Sequence, residues 1–167
     1  MIVVADTSPL NYLVLIGHVK ILHQLYDRVV VPAGVASELR DSRSPEAVRA
    51  WASAPPEWLE VRSVHLPADA GLDAVDSGEA EAIVLAEGNR PDVLLIIDDR
   101  DGRREAARRG IATTGTLGVL NDAAGRDLID LADALNRLDK TTFRASPALL
   151  RELLERERRR RKKPLGP

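Results

Sequence analysis

Five short aliphatic runs, rich in β-branched residues, punctuate a chain otherwise patterned for helices, and this alternation constrains its fold more tightly than any other feature. The runs are Ile2 to Ala5, Val29 to Val31, Val61 to Val64, Val93 to Ile97 and Ile111 to Thr114. Each has the length and composition of a buried strand. Between them lie helical patterns: Leu10 to Leu25 with a break near Gly17, Val35 to Arg40, Glu46 to Trp51, Ser77 to Glu87 and Gly102 to Arg109. Strand–helix alternation of this kind predicts an α/β protein, a parallel sheet with helices on both faces. The first and fourth runs are almost uninterruptedly apolar, as central parallel strands covered on both sides must be. After Thr114 the chain is expected to be helical, over Thr116 to Ala124 and Leu128 to Leu138, with a last helix opening at Ser146-Pro147. Serine there suits a cap and proline the first helical position. Ala54-Pro55-Pro56 and Pro67 to Ala74 are the plausible loops, too short to separate domains.

At 167 residues the chain has the length of one domain with a substantial core. It contains no cysteine, which excludes disulfides, thiolate catalysis and cysteine-based metal sites. The opening Met1-Ile2-Val3-Val4-Ala5-Asp6 lacks a basic leader, and no apolar stretch is long enough for a bilayer, so a cytoplasmic protein is expected. The net charge of −2 is unevenly spread: the last 17 residues hold eight Arg or Lys against three Glu, so the first 150 carry −7. An acidic body with a basic tail does not suit broad binding to duplex DNA. The organisation expected is therefore a domain over residues 1–154 and a basic C-terminal tail over 155–167.

Ligands of open α/β sheets bind beyond the carboxyl ends of the strands, so acids there are the first candidates for chemistry. Asp6 directly follows the first strand and precedes Thr7-Ser8-Pro9; the competing reading is a helix cap. Asp98-Asp99 follows the fourth strand, where a polar turn is the plainer role. Glu38 sits on the short helix after strand two, which Val35 and Leu39 pin to the sheet. The segment Gly78-Glu79-Ala80-Glu81-Ala82-Ile83-Val84-Leu85-Ala86 is apolar nearly all round, as a buried helix is, yet carries two glutamates. At about 100° per residue these point roughly 200° apart, so only one of them faces any small site. The wheel does not choose between them, and Glu79 also fits a capping box with Asp76.

The conjunction carries more weight than any single acid. Asp6, Glu38, Glu79 and Asp98 are all placed to converge on one rim of the sheet. Carboxylates 4 Å apart repel by about 4 kcal/mol per pair at an effective dielectric near 20. Either burial raises their pKa values or a hard divalent cation neutralises them, and oxygen ligands without histidine suit Mg²⁺ or Mn²⁺. Such a site points to phosphodiester chemistry.

Four segments then carry a resemblance: Asp6-Thr7-Ser8, Val31-Pro32 leading to Glu38-Leu39, Gly78 to Ile83, and Ile97-Asp98-Asp99-Arg100. Together they resemble PIN-like domains, including the VapC toxins of toxin–antitoxin pairs. The likeness is greatest to a prokaryotic PIN subfamily with a Gly-Glu-Ala-Glu-Ala core followed by Thr-Gly-Thr-Leu-Gly-Val-Leu, here Thr114 to Leu120. The resemblance covers Met1 to about Leu154. It implies a three-layer sandwich around a five-stranded parallel sheet of order 3-2-1-4-5, an Mg²⁺ or Mn²⁺ site, and endonucleolytic cleavage of single-stranded RNA. It also implies a small antitoxin partner and a homodimer. Asp6, Glu38 and Asp98 match the family's acids, and Thr7 or Ser8 matches a supporting hydroxyl. The remaining family acid is usually Asp; here it is Glu, and spacing to Leu85-Ala86 favours Glu79 over Glu81. Asp99 also fits the position of Asp98. The alternative is a catalytically inactive scaffold or regulatory binding module on the same fold.

Gly115-Thr116-Leu117-Gly118 could present backbone N–H groups to phosphate or merely cap a helix. His18, His23 and His65 form no ligand or triad pattern, and neither a phosphate-binding P-loop, a dinucleotide fingerprint nor a nucleophile elbow occurs. Aromatic residues make up 3% of the chain, too few for extensive base stacking.

Overall fold

The structure is a computed structural model and describes residues 1–162. The elements run β1 (Ile2–Ala5), α1 (Thr7–Leu15), α2 (Ile21–Tyr26), β2 (Val29–Pro32), α3 (Ala33–Arg40), α4 (Glu46–Ser53) and β3 (Leu59–Arg62). There follow α5 (Ser77–Glu87), β4 (Val93–Ile96), α6 (Arg100–Arg108), β5 (Ala112–Thr114), α7 (Thr116–Gly125), α8 (Leu131–Asp139) and α9 (Pro147–Lys162). All strand pairs are parallel, and the order is β3-β2-β1-β4-β5. The α/β architecture and strand order match those anticipated. β1 lies at the centre, and the chain reverses direction across the sheet between β1 and β4, the kind of switch point where open sheets bind ligands.

Alternation along β1 sorts its side chains onto two faces. Val3 and Ala5 join a core formed with Leu10, Leu13, Leu22, Val35, Leu39, Leu120 and Leu131. Val4 faces the opposite way, into a second core with Ile83, Leu95, Ile97 and Ala106 from the α5–α6 side. The sheet is thus covered on both faces, giving three layers.

Two expectations about strands need correction. β3 begins at Leu59, two residues before the anticipated Val61, and ends at Arg62. It is an edge strand, so only alternate residues are covered: Leu59 is buried and Val61 is 45% exposed. The alternation in Leu59-Glu60-Val61-Arg62 therefore marks the strand better than the count of branched residues. β5 also lies at an edge, with Ala112 exposed, so neither it nor β3 is a buried strand. The break at Gly17 is real: its φ of +77° is the left-handed conformation that glycine tolerates, and α1 and α2 lie on either side. α8 starts at Leu131, three residues after the anticipated Leu128, because Asp130 Oδ1 accepts the Asp133 N–H at 2.9 Å and caps the helix there.

α9 runs without interruption across position 155 to Lys162. Glu157, 6% exposed, accepts from Arg161 Nε at 2.7 Å, and Arg160 donates to the Asn121 backbone and side-chain oxygens of α7. Residues 163–167 of the basic tail lie outside the described residues. Among the described residues no helix is long and apolar enough to cross a membrane.

Candidate functional site

Strand register brings the acids to one edge. Ala5 pairs with Ile96, the Asp6 N–H donates to Ile96 O at 3.0 Å, and the Ile97 N–H donates to Thr114 O at 2.8 Å. The strands β1, β4 and β5 therefore end level with one another. Asp6, Asp98 and Thr116 emerge from that common edge.

Asp6 occupies the N-cap position of α1 yet makes no side-chain cap hydrogen bond. Its residue is 2% exposed, and Oδ1 is buried without any hydrogen-bond partner. The helix-cap alternative thus leaves the side chain unexplained. Burial is the main force raising its pKa to about 7, and the charges of Glu79, Glu38 and Asp98 add to it, while the Thr7 backbone N–H works the other way. The other three acids singled out from the sequence therefore all act on Asp6.

The two glutamates on α5 divide as the helical wheel requires. Glu79 faces the rim, half-buried, its pKa pushed up to about 7 first by burial, then by Asp99, Asp76 and Glu38. It also makes the capping box with Asp76, through a long 3.4 Å contact from the Asp76 N–H. Glu81 points instead at the first turn of α3, where Oε2 accepts the Gly34 N–H at 2.9 Å. Glu38 reaches back from α3 to α5 and accepts a short hydrogen bond from the Thr7 hydroxyl. A reciprocal arrangement results. A methyl group on Gly78 would lie 2.6 Å from Glu38 Oε1, and one on Gly34 would lie 2.7 Å from the Glu81 carboxylate. Each helix leaves out a side chain to admit the other's acid. Ser8, partly buried, has no side-chain hydrogen bond among the described residues.

Asp98 and Asp99 also separate. Asp98 Oδ1 accepts the Thr116 N–H at 2.7 Å and Oδ2 accepts the Thr116 hydroxyl at 2.6 Å. Burial raises its pKa, against the Thr116 hydrogen bonds and the Arg103 charge. Asp99 caps α6, with Oδ2 accepting from the Asp101 and Gly102 N–H groups, while its charge still acts on Glu79. The Gly115–Gly118 turn serves its own carboxylate rather than an external anion: the first N–H of α7 is already taken by Asp98. Thr116 is fully buried, so Thr116→Val should strand one oxygen of Asp98 and cost about 2 kcal/mol. Denaturant titration checks this, with Thr116→Ser expected near wild type.

The donor set suits a hard divalent cation: carboxylate oxygens only, with one buried oxygen of Asp6 lacking any partner. Among the described residues, however, no three carboxylate or imidazole groups already stand close enough to hold a metal. Oxygens of Glu38, Asp98 and Glu79 are instead engaged by Thr7, Thr116 and Asp76. Sequence reasoning missed Arg103 and Gly34, and it quoted Gly78 and Gly115 without the niches they keep open for carboxylates. A glycine in the first turn of a helix, where it weakens the helix, was the available signal.

A family model described as a PIN domain, DUF3368, matches residues 2–158. No curated protein and no solved structure matches the chain. PIN domains are generally nucleases and generally use divalent metals. With that match spanning nearly all of a chain whose sheet has the order β3-β2-β1-β4-β5, the protein belongs to the PIN domain family.

Proposed function

We propose that the protein is an Mg²⁺- or Mn²⁺-dependent endoribonuclease that cleaves single-stranded RNA in a prokaryotic cytoplasm, as the toxin of a toxin–antitoxin pair. The observation that carries this reading is Asp6: a buried carboxylate with an orphaned oxygen, repelled by the charges of Glu79, Glu38 and Asp98. Among the described residues no group hydrogen-bonds that oxygen, and a hard cation is the partner its surroundings favour.

Asp6, Glu38, Glu79 and Asp98 would hold the ion, with Glu38 and Glu79 moving most, since both are only partly buried and have long side chains. A divalent cation bound there supplies an activated water and screens the phosphate charge. The chain does the rest. Thr7 fixes Glu38, and Thr116 fixes Asp98. A small antitoxin and a second copy of the chain are the protein partners this reading includes.

A labelled single-stranded RNA incubated with purified protein tests the proposal. Cleavage should require Mg²⁺ or Mn²⁺ and stop with chelator. Glu79→Gln should lower the rate by about a hundredfold, whereas Glu81→Gln, altering an acid directed at α3, should remain within a few-fold of wild type. Gly78→Ala should fall between them, because its methyl group displaces Glu38. Equal loss in the two glutamine variants would count against the assigned geometry.

A specific observation favours a second reading, a non-catalytic scaffold. Oxygens of Glu38 and Asp98 are already hydrogen-bonded within the protein, and among the described residues no three of the groups stand ready for a metal. Tight Mn²⁺ binding by calorimetry without hydrolysis of any RNA would establish it.

A further inference from the structure

Among the described residues, Arg103 is a cation beside the negative rim that the site's own architecture does not consume. Arg103 lies one turn into α6, and its Nη1 would sit 3.0 Å from a methyl group on Gly115. The same absent methyl group would be 2.7 Å from Asp98 Oδ1. Gly115 thus keeps open a niche shared by a carboxylate and a guanidinium. The charges resolved as acting on Asp6 and Glu79 are all carboxylates, whereas the one acting on Asp98 is Arg103.

Proximity to Asp98 invites an ion pair, but none forms. Both oxygens of Asp98 are taken by Thr116, and no carboxylate lies within ion-pair distance of Arg103 among the described residues. The arginines that follow it are otherwise employed, while the side chain of Arg100, at the start of the helix, also makes no ion pair among the described residues. Arg104 pairs with Asp101, Arg108 with Glu105, and Arg109 with Glu87 and Glu105. The guanidinium of Arg103 makes no hydrogen bond among the described residues. A planar fork of donors is therefore exposed beside the rim with its bonding capacity free.

We infer that Arg103 is a substrate-binding residue that grips a backbone phosphate of the RNA next to the bond being cleaved. The inference rests on the nuclease reading for the identity of the ligand. A polyanion approaching four carboxylates meets repulsion, and a guanidinium at the edge supplies local attraction together with a bidentate geometry matched to phosphate. Its place between Asp98 and the first turn of α7 sets the strand's path: the phosphate lies over the ends of β4 and β5, and the chain crosses the rim toward Asp6.

The test uses the full chain and a short fluorescein-labelled oligouridylate. Binding is followed by anisotropy in Ca²⁺ over a series of salt concentrations, and cleavage is measured separately in Mn²⁺. Arg103→Gln should weaken binding about tenfold and reduce the log–log salt slope by about 0.7, the loss of one phosphate contact on a single strand. Arg103→Lys should keep the slope while recovering only part of the affinity. Arg104→Gln, one residue on and turned about 100° around the helix, should match wild type. Unchanged affinity and slope in Arg103→Gln overturn the inference, as does weaker binding with an unaltered slope, which marks a structural role. If wild type cleaves and the slope is unaltered, only the Arg103 site falls. If wild type binds with an Arg103-dependent slope but cleaves nothing, the nuclease reading falls and the phosphate site stands. Failure of wild type to bind overturns both.

Discussion

Asp6→Asn should abolish RNA cleavage, lowering the rate by roughly a thousandfold or to background, and at the same time make the metal-free protein more stable. The two effects share one cause. In the native protein a nearly fully buried carboxylate faces Glu38, Glu79 and Asp98 with one oxygen unpartnered. Asparagine keeps the shape and removes the charge, relieving repulsion that a cation otherwise offsets. Parallel assays of cleavage in Mn²⁺ and of urea unfolding in chelator check the pair of outcomes. A variant that loses activity because it unfolds would show the opposite sign in the second assay. Undiminished cleavage would remove Asp6 from the mechanism altogether.

The metal-free protein should lose stability as pH rises from about 4 to about 7, and recover it when Mn²⁺ is added at the upper end. Asp6 has a folded pKa of about 7 against 3.8 ordinarily. Between those values the folded state binds more protons than the unfolded state, so the slope of unfolding free energy against pH is negative there and levels off above pH 7. The contribution of Asp6 is on the order of 4 kcal/mol, at about 1.4 kcal/mol for each tenfold change in proton affinity. Glu79 shifts in the same direction, but it is half-exposed and solvent screening makes its share smaller. A cation that binds only the folded state restores about 2.7 kcal/mol at a hundred times its dissociation constant. Thermal unfolding in chelator at pH 5 and pH 8, with and without Mn²⁺, checks both halves. In Asp6→Asn the pH slope should be much flatter and the Mn²⁺ shift largely lost; a wild-type slope in that variant would place the titrating group elsewhere.

Which parts of this were legible beforehand follows from where the physics is local. The strands β1 and β4 are covered on both faces, so their apolar runs announce them; β3, at an edge, shows only the alternation of Leu59-Glu60-Val61-Arg62, which is easily misplaced by two residues. α5 was readable to its ends, from the Asp76–Glu79 cap to Glu87. The acids could be named because strand ends are where an open sheet gathers ligands. Choosing between neighbours was harder. Glu79 and Glu81 differ by where α3 crosses α5, and Asp98 and Asp99 by whether Thr116 or the first turn of α6 captures the side chain. Arg103 carried no local signal, because its significance depends on the glycine at 115, twelve positions later and on another element.

The carboxyl-terminal helix has a bearing on how the protein can be handled. Arg160 fastens α9 to Asn121 in the middle of α7, and the first residue of α7 is the one that holds Asp98. Trimming the basic end to improve crystallisation would therefore cut a tether to the rim itself. A shortened form that has gone silent would say nothing about RNA contacts in the discarded segment until the grip of Thr116 on its carboxylate had been verified, for instance by the amide resonance of that residue.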